Sequence, residues 1–117
     1  MTICKHKTFN LDKYIKLGEQ NDSDQVVILK KFLRDYEGET GLVMDGDYEK
    51  QTYDAVVRFQ EKYYEDVLVP WGHTSGTGYV YQTTIKKINE LMCGKPKLVI
   101  QEVSNKYLMY YKHYQNL

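Results

Sequence analysis

Apolar residues recur with a helical period in three separate segments of this chain, and that pattern leaves few folds open. In residues 21–36, Val26, Leu29, Phe32, Leu33 and Tyr36 fall on one helix face. Asn21 stands where an N-cap belongs, Asp22 and Asp24 place negative charge in the first turn, and "EGETG" breaks the pattern. Residues 49–64 repeat the arrangement with Thr52, Ala55, Val56, Phe59 and Tyr63 inward and Asp54, Arg58, Glu61 and Lys62 outward. Residues 82–93 form the third helix, with Ile85, Ile88, Leu91 and Met92 as its stripe and Thr83 or Thr84 as its cap. Short amphipathic helices with tight turns, in a chain of 117 residues, imply one small all-α domain with a single core. Phe59, central on its face, is expected in that core beside Leu29 and Leu33.

The helices are joined unevenly. "LVMDGDY" and its Asp45-Gly46 turn link the first two. The second and third are separated by "VLVPWGHTSGTGYVYQTT", residues 67–84, where Pro70, Gly72, Gly76 and Gly78 exclude regular structure over most of the run. Both joints carry one spacing. Gly46, Tyr48, Thr52, Val56 and Phe59 match Gly78, Val80, Thr84, Ile88 and Leu91, with an offset of 32 residues from Gly46 to Gly78. A glycine able to take positive φ turns the chain, and the next apolar residue plugs the base of the new helix.

The succession Leu17-Gly18, Val26, Leu29, Phe32-Leu33, Asp45-Gly46-Asp47-Tyr48, Thr52, Ala55-Val56 and Phe59-Gln60 resembles the peptidoglycan-binding domain family, a three-helix module with a "DGxF/Y…T…AV…FQ" core. "TGYVYQTT", residues 77–84, resembles that family's second glycine-to-threonine turn. The resemblance covers residues 11–92, and it is closest to a bacterial variant flanked by cysteines. Three features differ from the family pattern. Lys30 stands where a glutamine is usual, Glu49 where a glycine is, and the loop between helices two and three is longer. The resemblance implies a small three-helix bundle over residues 1–94, followed by a C-terminal extension, residues 95–117.

Cys4 and Cys93 are the two cysteines. On the residues alone they are either a staple between the ends of the domain or two unrelated buried thiols. The family variant's flanking cysteines imply a disulfide, which for a loop of this size contributes about 4 to 5 kcal/mol and places the chain in an oxidising compartment. The opening "MTICKHKTFN" lacks the apolar segment of a signal peptide. That fits either a cytoplasmic chain or a mature form whose export signal lay outside it; with the disulfide, the expected location is extracellular or in the cell envelope.

Several chemistries find no footing. Sixteen basic and sixteen acidic residues cancel, so the electrostatic footprint of a nucleic-acid binder is missing. No apolar run is long enough to span a membrane. His6, His73 and His113 are scattered without metal-ligand spacing, so no metal and no cofactor are expected. There is no nucleophile elbow or P-loop, and the Asp45, Asp47 and Glu49 cluster reads as a solvated helix start rather than an acid–base pair. The chain reads as non-catalytic.

What remains is binding. Trp71, Tyr79 and Tyr81 are an aromatic set suited to a sugar face or a peptide; Val80 and Tyr81 are assigned to packing, while Trp71 is open to either role. The resemblance implies a cell-envelope module that holds a cell-wall glycan or peptide between helices two and three, with Asp45, Tyr48, Trp71 and Tyr79 as its ligand-binding residues. The alternative is a structural subunit of an extracellular or virion assembly. That role draws on the tail, where Val99, Val103, Tyr107, Tyr110, Tyr111, Tyr114 and Leu117 form an apolar stripe, and self-association would run through Tyr107, Tyr110, Tyr111 and Tyr114.

Overall fold

The structure, a computed structural model, describes residues 10–93. Residues 95–117 and Cys4, and with them the tyrosine-rich stripe and the cysteine pairing, lie outside the described residues. The chain is mostly helical: α1 (Ser23–Glu37), α2 (Lys50–Lys62), a single-turn α3 (Tyr64–Val67), a 3-10 turn (Val69–Trp71) and α4 (Gln82–Cys93). Among the described residues the only extended pairing is one antiparallel bridge between Ile15 and Val80. None of these helices is long and apolar enough to cross a membrane.

The three apolar stripes meet in one core. Val26, Leu29, Phe32 and Leu33 from α1, Ala55, Val56 and Phe59 from α2, and Ile88 from α4 are buried together, with Leu11, Ile15, Leu42 and Val80 contributed by the connecting segments. The Phe59 ring meets Phe32 edge-on, with centroids 5.4 Å apart, and leans on Tyr63 at 5.0 Å. Such pairs add to the area they bury.

Helix boundaries differ from the sequence reading in three places. Asp22, not Asn21, caps α1: its carboxylate accepts from the Gln25 amide at 3.0 Å. Asn21 folds back instead, accepting from the Lys16 amide and donating to the carbonyls of Lys16 and Glu19, which ties down the preceding loop. The second helix stops at Lys62, because Tyr63 leaves the helical region. Beyond this break Val67 and Leu68 are buried. Finally, neither Thr83 nor Thr84 caps α4. Thr83 donates to the Val67 carbonyl at 2.6 Å and Thr84 is buried against Gln60, so both hydroxyls serve tertiary contacts.

The repeated turns are held by one device used twice. Lys30, which follows Leu29 on α1, is fully buried, and its ammonium donates to the Val43 carbonyl at 2.9 Å and to Asp45 Oδ1 at 2.6 Å. Gln60, which follows Phe59 on α2, reaches the second turn. Its Oε1 accepts from the Thr77 and Gly78 amides at 2.8 and 2.9 Å, and its Nε2 donates to the Tyr79 carbonyl and Thr84 Oγ1. The two glycines do different jobs. Gly78 has φ +72°, and a Cβ there would also run into the Tyr53 ring; Gly46 does not take the positive φ expected of it and is required on steric grounds alone, since a Cβ there would lie 2.5 Å from that of Ser23.

Glu49 lies 3.5 Å from the Lys30 ammonium. Lys30 and Glu49 therefore meet in space. The hydrogen bond from Lys30 holds the Asp45 carboxyl below its ordinary value. Burial opposes ionisation of Glu49, but hydrogen bonds from Thr52 and its own amide, with the Lys30 charge, outweigh it and hold that group low too. Stability supplied by carboxyls with lowered values is present above about pH 4 and is lost as the pH falls through them. Asp45→Asn should therefore be less stable than wild type at pH 7, with the difference shrinking as the pH falls through the lowered Asp45 value. Thermal melts of both proteins from pH 7 to pH 3 check this; parallel curves throughout would show that the Lys30 to Asp45 pair contributes nothing.

Candidate functional site

Outside the helices, side-chain direction is set by the one extended pairing. Along an extended segment successive side chains point to opposite faces, and residues paired across an antiparallel bridge face the same way. Ile15 donates to and accepts from Val80 at 3.1 and 2.8 Å, and both side chains are fully buried. Their neighbours must then point outward together. Tyr14 comes opposite Tyr81, with ring centroids 4.5 Å apart, and Lys16 opposite Tyr79, with its ammonium 5.3 Å from the ring centroid. Tyr79 and Tyr81, two residues apart on the outward face, stack at 5.0 Å with an interplanar angle of 22°.

Trp71 completes the cluster from the other side. The Val69–Trp71 turn brings its ring within 5.2 Å of Tyr81, and its indole N–H donates to Thr83 Oγ1 at 2.8 Å. Pro70 in the first positions of that turn has no N–H to lose, and Gly72 closes it with φ +75°. Trp71 remains 42% exposed and Tyr14 48%.

These rings border a pocket of about 200 Å³, walled by Trp71, Tyr79, Tyr81 and the exposed His73 and floored by Leu68, Gln60 and Thr84. The polar groups of the floor are already spent. Gln60 carries the second turn, Thr84 accepts from Gln60, and Thr83 bridges Val67 and Trp71. The hydroxyls of Tyr79 and Tyr81 make no hydrogen bond among the described residues. The site therefore offers ring faces at its walls and hydroxyls at its rim.

The structure brings Trp71 and Tyr79 together and leaves Asp45 and Tyr48 out of this pocket. Asp45 lies on the first turn as the partner of Lys30 and of the Asp47 amide. Tyr48 is 8% exposed, and its hydroxyl donates to the Gly78 carbonyl at 2.5 Å. Burial pushes that hydroxyl well above its ordinary value, so it stays a donor. It joins the first turn to the second and supports the pocket from beneath. Tyr81, assigned to packing from the sequence, is half-buried and forms the pocket wall; Val80 is the plug that it was assigned to be. Tyr14 and Lys16 escaped the sequence reading altogether. Their signal was the alternation Tyr14-Ile15-Lys16, but three residues are too few to mark an extended segment unless its partner is known.

Among the described residues no three His, Cys, Asp or Glu side chains come together to hold a metal ion. No family model matches the chain, and no curated protein or solved structure is significantly similar to it.

Because Gln60 holds two amides of the Thr77–Gly78 turn, Gln60→Leu should leave them without partners and lower stability by roughly 2 to 4 kcal/mol. Urea unfolding followed by the fluorescence of Trp71, the single tryptophan, measures this. A loss below about 0.5 kcal/mol would show that the turn does not depend on Gln60.

Proposed function

We propose that the chain is a non-catalytic binding module of the cell envelope, of the peptidoglycan-binding type, which takes a segment of cell-wall polymer in the pocket between Trp71, Tyr79 and Tyr81. The observation that carries this reading is a preformed, partly exposed aromatic pocket in which the side chains of Gln60, Thr83 and Thr84 are already hydrogen-bonded within the protein. Such a site gains from stacking an apolar ring face and leaves only its rim for polar recognition. It opens beside α2 and α4, the helices between which the family resemblance puts its groove. The paired clamps of Lys30 on the "DGDY" turn and Gln60 on the "TGYV" turn support the resemblance, because they give the two matched motifs one physical purpose.

In the same reading Cys4 and Cys93 form a disulfide. The supporting contact is Asn89, one helical turn before Cys93, whose amide group accepts from the Leu11 N–H at 3.0 Å and donates to the Leu11 carbonyl at 2.9 Å. This brings the first described residues onto the last helix. Purified without reductant, the protein should run faster on a denaturing gel than its reduced form, and reduction should lower stability by about 2 to 5 kcal/mol. Two thiols titrating in the native oxidised protein would exclude the bond.

The binding role is tested by pelleting with purified cell-wall sacculi. Wild-type protein should sediment with them, and Trp71→Ala and Tyr79→Ala should each weaken the association about tenfold, the loss of one aromatic contact. Failure of the wild type to pellet, together with a mass that grows with concentration, would favour the competing role as a subunit of an assembly.

A further inference from the structure

The aromatic surface does not end at the pocket. Tyr81 stacks on Tyr79, and the Lys16 ammonium lies over Tyr79 in turn, so ring, ring and cation form a row running outward from Trp71. Among the described residues no carboxylate answers the charge at the end of this row. Lys30, Lys50, Lys62, Lys86 and Lys87 each hold a carboxylate within 4.0 Å, whereas Lys16 holds none among the described residues. No carboxylate lines the pocket either. A tyrosine face steadies an ammonium without neutralising it. The row is therefore apolar at one end and positive at the other.

The pocket's size and its backbone narrow the ligand. Its volume of about 200 Å³ falls below the roughly 300 to 1,000 Å³ that encloses a drug-sized molecule. It holds one ring, and the rest of the ligand must lie along the surface. An extended peptide would be recognised through free main-chain groups. Here the Val80 N–H and carbonyl are spent on Ile15, the Tyr79 carbonyl on Gln60, and the Tyr79 amide on Thr77.

We infer that the site takes an acidic polysaccharide, with one pyranose ring stacked on the partly exposed ring of Trp71 and a carboxylate of a neighbouring sugar at Lys16. This rests on the polymer-binding reading above and names the ligand class within it. A lactyl ether and a uronic acid present the same group here, a carboxylate borne directly on a sugar of the chain.

Two hexasaccharides that share N-acetylglucosamine separate the charge from the ring: hyaluronan hexasaccharide, which alternates it with glucuronic acid, and neutral chitohexaose. Titrated into the full chain at low salt and followed by Trp71 fluorescence, the acidic hexamer should bind about tenfold more tightly, the worth of one charged hydrogen bond. Lys16→Gln should reduce that preference to within about twofold, while Lys31→Gln, another exposed lysine, should keep it. Muramic acid strands freed of peptide, with their lactyl carboxyls intact or converted to methylamides, then distinguish the two carboxylate sources. Preference for the intact strands that equals that for the uronic hexamer assigns either source, and a larger one assigns the lactyl group. Equal binding of the two hexasaccharides, a preference that survives Lys16→Gln, binding of neither, or tighter binding of a proline-rich decapeptide each overturns the inference. If sacculi still pellet the wild type in those cases, the general binding role stands and only its ligand class has failed.

Discussion

Buried backbone without a partner is the problem this fold has to solve. Several core positions come from connecting segments rather than helices: Leu11, Ile15, Leu42 and Val80 are all buried. Bringing such residues inside also brings in amides and carbonyls that no helix or sheet satisfies, and each one left unpaired costs as much as a good contact contributes. The chain answers with polar side chains sent inward from its helices. Gln25 holds the amides of Asp12 and Lys13, Lys30 holds the Val43 carbonyl, Gln60 holds the Thr77–Gly78 turn, and Asn89 holds Leu11 by both groups. These four, with Thr52 and Thr84, are the buried polar residues of the described chain.

The aromatic pocket is a product of the same device. With Leu11 fixed to α4 and Asp12 fixed to α1, the segment reaching Ile15 has little freedom left, and Ile15 meets Val80 where Gln60 and Tyr48 have already set the second turn. Only then do Tyr14 and Lys16 stand beside Tyr79 and Tyr81. The pocket floor is thus made of residues whose hydrogen bonds stabilise the fold, and the walls are made of rings that those bonds aim outward. The inward face of one short extended pairing serves the core, and its outward face carries the aromatic surface.

Lys30 shows how a buried charge is accommodated. A fully buried ammonium costs several kcal/mol to desolvate unless it is paired. Its buried ammonium meets Asp45, which is half-exposed, with Glu49 close by. The buried charge is therefore met by partners that are themselves still partly hydrated. The neutral Gln60 at the matching place in the second turn needs no counter-ion, and the acidic residues of the first turn have no counterpart there.

The helices and the apolar face of each were legible in the residues, because a period of 3.6 over a dozen positions is a local property that no distant contact has to supply. Phe59 in the core, Val80 as a plug and the matched glycine-to-threonine turns follow from such spacing. The cap at Asp22, the break at Tyr63 and the tertiary use of Thr83 and Thr84 did not, since each depends on what lies across the core rather than on near neighbours. The site divides the same way. Trp71 and Tyr79 stood out as aromatics in a loop of small residues. That Tyr48 is a buried strut and that Asp45 answers Lys30 depend on contacts across the core, and that Tyr14 and Lys16 join the surface is a consequence of the Ile15 to Val80 pairing. Those two residues are far apart in the chain and belong to segments too short to declare themselves, so only the packed structure could bring their outward neighbours together.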